Sequence, residues 1–161
     1  MDLIVRHSMR GYYLPLVAGL FLAVSAFMPW TIMGENRLGG IPDIANLWIF
    51  GLGLLAVTLS LLSVITRKNS RHPLLLVGLI AFAILFMAEK LMERSVLNQA
   101  WAQSQAHAIV EGGPVVELAK PVMGLGAYLG LSASAAIVLF GLTIVLRRVS
   151  TPYIELEDDD F

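Results

Sequence analysis

Ionisable side chains close enough in the sequence to act together form one main group: Glu89, Lys90, Glu93 and Arg94. On a helix, Glu89 and Glu93 share one face and Lys90 and Arg94 the adjacent face. Two carboxylates at a membrane boundary could attract a cation or relay protons; alternatively, the whole group snorkels toward the headgroups or pairs with a neighbouring subunit. We favour the second interpretation, because a proton-driven transporter needs further ionisable partners at membrane midplane and the other apolar runs contain none.

The three histidines give weaker signals. His107 and Glu111 are four residues apart, a spacing that on a helix brings two potential metal ligands together. His7 and His72 fall on one predicted side of the membrane, where a bound pigment or metal is conceivable. The chain has no cysteine, which excludes disulfides, thiolate metal sites and iron–sulfur clusters. Phosphate-loop, HExxH and Gly-x-Ser-x-Gly motifs are also absent. We therefore predict no enzyme, no metal site and no intrinsic cofactor, with only a bound lipid or a pigment shared with a partner left open.

The elements that carry these residues are long apolar runs. Of the 161 residues, 57% are hydrophobic and only 14% are charged, against about 25% charged in a soluble domain. Four stretches contain no charge at all: 14–33, 44–66, 73–88 and 122–146. Helices of about 20 residues cross about 30 Å of hydrocarbon. A soluble enzyme, a nucleic-acid-binding domain and a disordered protein are excluded, and the net charge of −1 gives no basic surface for nucleic acid.

The predicted fold is an all-α integral membrane protein with four transmembrane helices in an antiparallel up-down bundle. It forms a single membrane domain over residues 1–161, with approximate spans 12–33, 44–66, 73–92 and 122–146, an outer helical loop 93–120 and an acidic tail 149–161. Arg6 and Arg10 precede the first apolar run and small residues follow at 24–26, as in a signal peptide. Because the run continues to Trp30, we predict an uncleaved first helix.

Charge asymmetry predicts the orientation. Seven Lys and Arg residues lie on one side and four on the other. The first set is Arg6, Arg10, Arg67, Lys68, Arg71, Arg147 and Arg148, and the second is Arg37, Lys90, Arg94 and Lys120. By the positive-inside rule, we predict that both termini are cytoplasmic. The predicted location is the cytoplasmic (inner or plasma) membrane. Tyr12, Tyr13, Trp30 and Trp48 stand at the ends of spans, where we expect aromatic anchors at headgroup depth.

The connections differ in length. Residues 34–43 are short and rich in Gly and Pro, which predicts a tight turn between antiparallel neighbours. From Glu89 to Val110 there is no Gly or Pro, so helix three should continue beyond the membrane or break into a second helix. Gly112 begins a Gly-Gly-Pro stop, and Pro121 is predicted to open helix four.

Small residues predict close helix packing, either within the bundle or against another subunit. They occur on helices two and four: Gly51, Gly53, Gly124, Gly126, Gly130 and Ser134. The acidic tail is a further candidate docking segment for a basic partner surface, with Glu155, Glu157, Asp158, Asp159 and Asp160.

These features favour a non-catalytic accessory or structural subunit of a larger membrane complex, with lipids and other membrane subunits as partners. A respiratory or photosynthetic complex is one candidate setting, by analogy only. The alternative is a small homo-oligomeric channel or transporter with Glu89 and Glu93 at its outer entrance. A third interpretation is an enzyme or ligand-binding module that uses His107 and Glu111.

Overall fold

The computed structural model describes residues 11–66, 70–112 and 119–149, with side chains up to residue 143. This part of the chain contains four helices and three short strands. In chain order they are α1 (Tyr13–Ser25), β1 (Thr31–Met33), β2 (Asn36–Leu38), α2 (Ile44–Thr66), α3 (Arg71–Glu111), β3 (Val122–Met123) and α4 (Leu125–Val149). The predicted helical architecture is present, and the strands are additional to it.

Helix α1 is shorter than the predicted span 12–33. It ends at Ser25 after 13 residues, about 20 Å, which is less than the hydrocarbon thickness. The next amides, up to Met28, bond three residues back in a tighter turn. Pro29 has no amide hydrogen and disfavours the helical conformation at Met28, so the helix cannot continue.

Residues 34–43, predicted as a tight turn region, contain a hairpin turn and strand β2 of a three-stranded antiparallel sheet of order β2-β1-β3, which the sequence did not predict. Met33 pairs with Asn36, so Gly34 and Glu35 form a two-residue hairpin turn. Gly34 has φ +60°, a conformation that glycine adopts without steric cost. Strand β3 takes residues 122–123, and α4 therefore begins at Leu125 rather than at Pro121.

The helices form a ring in which α1 packs on α2 and α4, and α3 packs on α4 and less on α2. Contacts between α1 and α2 run in opposite directions, since Gly19 lies against Ala56 and Ala23 against Gly53. Likewise Gly78 of α3 lies against Ile137 of α4, and Gly141 lies against Leu75. These pairs make the neighbouring helices antiparallel. We call the end of the bundle that carries the strands the sheet end.

Helix α3 is continuous over 41 residues, about 62 Å, roughly twice the thickness of the hydrocarbon core. Of the two predicted outcomes, the helix therefore continues rather than breaks. It ends at Gly112, whose φ of +67° gives a left-handed cap and whose amide donates to the Ala108 carbonyl at 3.0 Å. The glycine of the predicted stop thus terminates the helix.

Three helices, α2, α3 and α4, are long and apolar enough to cross a membrane, whereas α1 is a shorter apolar helix. Leu22, Ile49, Leu74, Leu85 and Ile137 form a buried core between the helices. Large apolar side chains are exposed on the outer surface of the same helices, including Phe21, Leu54, Leu62, Leu79 and Phe86. A bundle that is apolar both inside and outside indicates a membrane protein.

Candidate functional site

Glu89 lies on the buried face of α3, one turn after Leu85, and only 4% of its surface is exposed. The Lys90 ammonium lies 3.3 Å from Glu89 Oε2 and donates a hydrogen bond of 2.7 Å to Glu93 Oε2. Glu89 Oε2 has no hydrogen-bond partner among the residues that the structure describes. One lysine therefore pairs with two carboxylates, and the predicted pair Glu89 and Glu93 forms an ion-paired cluster with Lys90 that keeps one excess negative charge.

Trp30 is wholly buried, which corrects the headgroup-anchor role predicted for it. Its indole N–H donates to the Ser25 carbonyl at 3.0 Å. Its backbone amide donates to Leu38, and its carbonyl accepts from the Gly124 amide. A side chain without exposed surface cannot contact headgroups, so Trp30 instead joins the end of α1 to the sheet and to the start of α4.

Tyr12 requires the same correction, because only 3% of its surface is exposed. Its hydroxyl accepts a hydrogen bond from the Ser70 amide at 3.1 Å, and its ring meets the edge of Phe140 at 5.1 Å between centroids. Arg71 lies over the same Phe140 ring at 5.4 Å. Tyr13 and Trp48, in contrast, are exposed on the surface of the bundle.

Most of the predicted small residues lie at contacts inside the bundle. An added Cβ at Gly53 would stand 2.6 Å from the Ala23 amide nitrogen, and one at Gly130 would stand 2.9 Å from Leu85 and Ser25 side-chain atoms. An added Cβ at Gly124 or Gly126 would also stand within 3.0 Å of atoms of residues 28–30. Ser134 is buried. Gly51 differs, because a Cβ there would meet open space. Close packing within the chain therefore occupies these positions, apart from Gly51.

His107 and Glu111 form an exposed pair on the last turns of α3, with Nδ1 3.0 Å from Oε2. No group of three or more potential metal-ligating side chains occurs within residues 11–66, 70–112 and 119–149. His7 and the acidic tail, with Glu155, Glu157 and Asp158 to Asp160, lie outside the described residues.

A cleft of about 410 Å³ lies between the β1–β2 hairpin and α3, and it is additional to the sites predicted from the sequence. We call it the hairpin cleft. Its polar lining comes from Asn36, Arg37, Gln99 and Gln103. The Gly34-Glu35 turn, with glycine at its first position between two short runs, is a hairpin signal that could have indicated one wall.

A second cavity, of about 480 Å³, is an apolar groove between α1 and α4. Val17, Phe21 and Leu129 are among its lining residues, together with the small residues Ser132 and Ala136. It opens on the apolar outer surface of the bundle.

The last five turns of α3 expose apolar side chains. Trp101 is 60% exposed, Ile109 81% and Val110 83%, and Leu97 lies one turn before Trp101 on the same face. We call Leu97 and Trp101 the Leu97–Trp101 surface. Exposed apolar groups of this size on a helix that leaves the bundle are typical of an interaction site.

Comparison of the chain with protein-family models, with curated proteins and with solved structures gives no match. Functional inference therefore depends on the geometry described above.

Proposed function

We propose that this protein is a non-catalytic accessory subunit of a larger membrane complex and that it contacts its partner outside the membrane through the Leu97–Trp101 surface. Both termini are proposed to be cytoplasmic, in the plasma membrane, with the sheet end on the opposite side. The positive-inside rule supports this orientation, because the lysines and arginines concentrate on the side of the termini.

The observation that carries the proposal is the depth of exposed apolar residues on α3. The charge-free part of this helix ends before Glu89, which places the hydrocarbon boundary near that residue. Trp101 lies 12 residues further on, about 18 Å, and Ile109 about 30 Å. The headgroup layer accounts for only about 5–8 Å on each side of the membrane. Leu97, Trp101 and Ile109 therefore extend into water, where a partner surface would cover them.

The direct test is the native mass of the protein extracted from its own membrane in a mild detergent. Mass spectrometry of co-purifying proteins is expected to find foreign subunits in stoichiometric amount. The double variant Leu97→Glu/Trp101→Glu should lose them, because two charges replace the apolar contact. A chain that runs alone, as a monomer or a homo-oligomer, would contradict the proposal.

Ala106→Glu is the matched control for this experiment. Ala106 is exposed on the same stretch of α3, about 140° around the helix from Trp101, and the substitution adds one negative charge, as each substitution of the double variant does. This variant should keep the partner. An absorption spectrum of the same sample tests the respiratory or photosynthetic setting, since haem or pigment bands would identify an energy-transducing complex.

The channel alternative has less support. Glu89 is buried and Lys90 pairs with both carboxylates, so the two do not form an open ring of free carboxylates that attracts cations. Unchanged ion flux in liposomes between the wild type and Glu93→Gln is expected.

A further inference from the structure

The hairpin cleft combines one positive charge with amide and apolar groups. Among the residues that the structure describes, Arg37 is the single charged residue in its lining, and neither Glu35 of the turn nor Glu93 of α3 contributes to it. Across the described part of the chain, Arg37 has no ion-pair partner. The guanidinium is therefore available to a ligand that enters the cleft.

The two walls supply complementary chemistry beside Arg37. Asn36 on the hairpin and Gln99 and Gln103 on α3 carry amide groups that can donate and accept hydrogen bonds. Met33 and Val96, both buried, supply an apolar floor. A ligand that fits has one anionic end, hydrogen-bonding capacity and an apolar portion.

The cleft is held in place before any ligand binds. Strand β1 pairs with β2 on one side and with β3 on the other. The Trp30 amide donates to the Leu38 carbonyl at 2.9 Å, which fixes the end of the hairpin to a wholly buried residue. The volume of about 410 Å³ lies in the range of small-molecule sites.

We propose that the hairpin cleft binds a small organic carboxylate that carries an apolar group. A carboxylate accepts two parallel hydrogen bonds from the planar guanidinium of Arg37, and its single negative charge matches the single positive charge of the lining. A phosphate dianion would keep an uncompensated charge. The cleft residues of α3 lie seven to fourteen positions after Glu89, which is about 10–21 Å beyond the hydrocarbon boundary. Because this distance exceeds the depth of the headgroup layer, it favours a water-soluble ligand over a lipid headgroup.

The test is isothermal titration calorimetry on the full chain in nanodiscs, with empty nanodiscs as the blank. The probes are acetate, butanoate and benzoate, the matched neutral amides butanamide and benzamide, and inorganic phosphate. Benzoate and butanoate should bind at least tenfold more tightly than their amides and more tightly than acetate. Equal binding of benzoate and benzamide, or no saturable binding of either, would overturn the proposal.

Variants of one residue locate the site. Arg37→Gln should remove the tenfold preference for the carboxylate, and Arg37→Lys should keep a reduced preference, because lysine retains the charge without the planar fork. Arg94→Gln, an exposed arginine of α3 outside the lining, should bind like the wild type. An unchanged preference in Arg37→Gln would place binding elsewhere, and tighter binding of phosphate than of benzoate would overturn the assignment to a carboxylate.

Discussion

Close packing at single residues determines how the helices meet. Gly53 and Gly51 lie two residues apart on α2, yet only Gly53 faces α1. Gly53→Val should destabilise the protein by about 1–3 kcal/mol, because its side chain would overlap the Ala23 backbone. Gly51→Val should leave the thermal midpoint in detergent nearly unchanged. Equal midpoints for the two variants would show that α1 and α2 do not pack through Gly53.

The Glu89–Lys90–Glu93 cluster gives a second prediction at this scale. Lys90→Gln should lower the thermal midpoint, because it leaves the buried Glu89 carboxylate without its counter-charge. Adding Glu89→Gln should restore much of the loss, because a neutral amide of the same shape replaces the unpaired charge. If the double variant is no more stable than Lys90→Gln alone, the two residues are not coupled.

The residues of this cluster were predictable from the sequence, because helical spacing alone brings Glu89, Lys90 and Glu93 together. The burial of Tyr12 and Trp30 was not predictable in this way. An aromatic residue at the end of an apolar run has the same local composition whether it faces headgroups or the core, and only tertiary packing distinguishes the two.

At the scale of the elements, α3 departs most from an ordinary membrane span. Its continuity predicts a distance of about 50 Å between spin labels at Leu76→Cys and Ile109→Cys, 33 residues apart. Both side chains are exposed, and the chain has no native cysteine to interfere. Double electron–electron resonance on this pair measures the distance directly.

A second labelled pair, Leu76→Cys and Leu91→Cys, is the control within the first half of the helix, and the expected distance between its labels is about 22 Å. A correct short distance together with a long distance below about 40 Å would show that α3 breaks and folds back after Glu89.

Helix boundaries were predicted unevenly. The bounds of α2 match the predicted span 44–66, because charged and Pro-containing connections flank it. The predicted span 12–33 was longer than α1, because hydropathy does not show where backbone hydrogen bonding changes. Pro29 was the local signal for the end of the helix.

The hairpin cleft could not be predicted, since residues 36–37 and 99–103 are more than 60 positions apart and meet only through the tertiary fold.

At the scale of the molecule, the described part of the chain has three long apolar helices and one short helix, which form an antiparallel ring closed at one end by Trp30 and the sheet. The apolar exterior fits lipid, whereas the extension of α3 beyond the charge-free run carries charged residues, among them Glu93, Arg94 and Glu111. The protein thus has an apolar surface that fits the bilayer and, on the extension of α3, a second surface that we propose contacts a partner. The proposed function depends on the second surface.

The three tryptophans test this division directly. The chain is purified, reconstituted alone in nanodiscs, and prepared in three forms that each retain one tryptophan, with phenylalanine at the other two positions. Trp101 fluorescence should be quenched by aqueous iodide, and Trp48 by brominated lipid chains. Trp30, which is wholly buried, should respond to neither quencher. Quenching of Trp101 by brominated lipid but not by iodide would contradict the central claim that α3 carries an apolar surface into water.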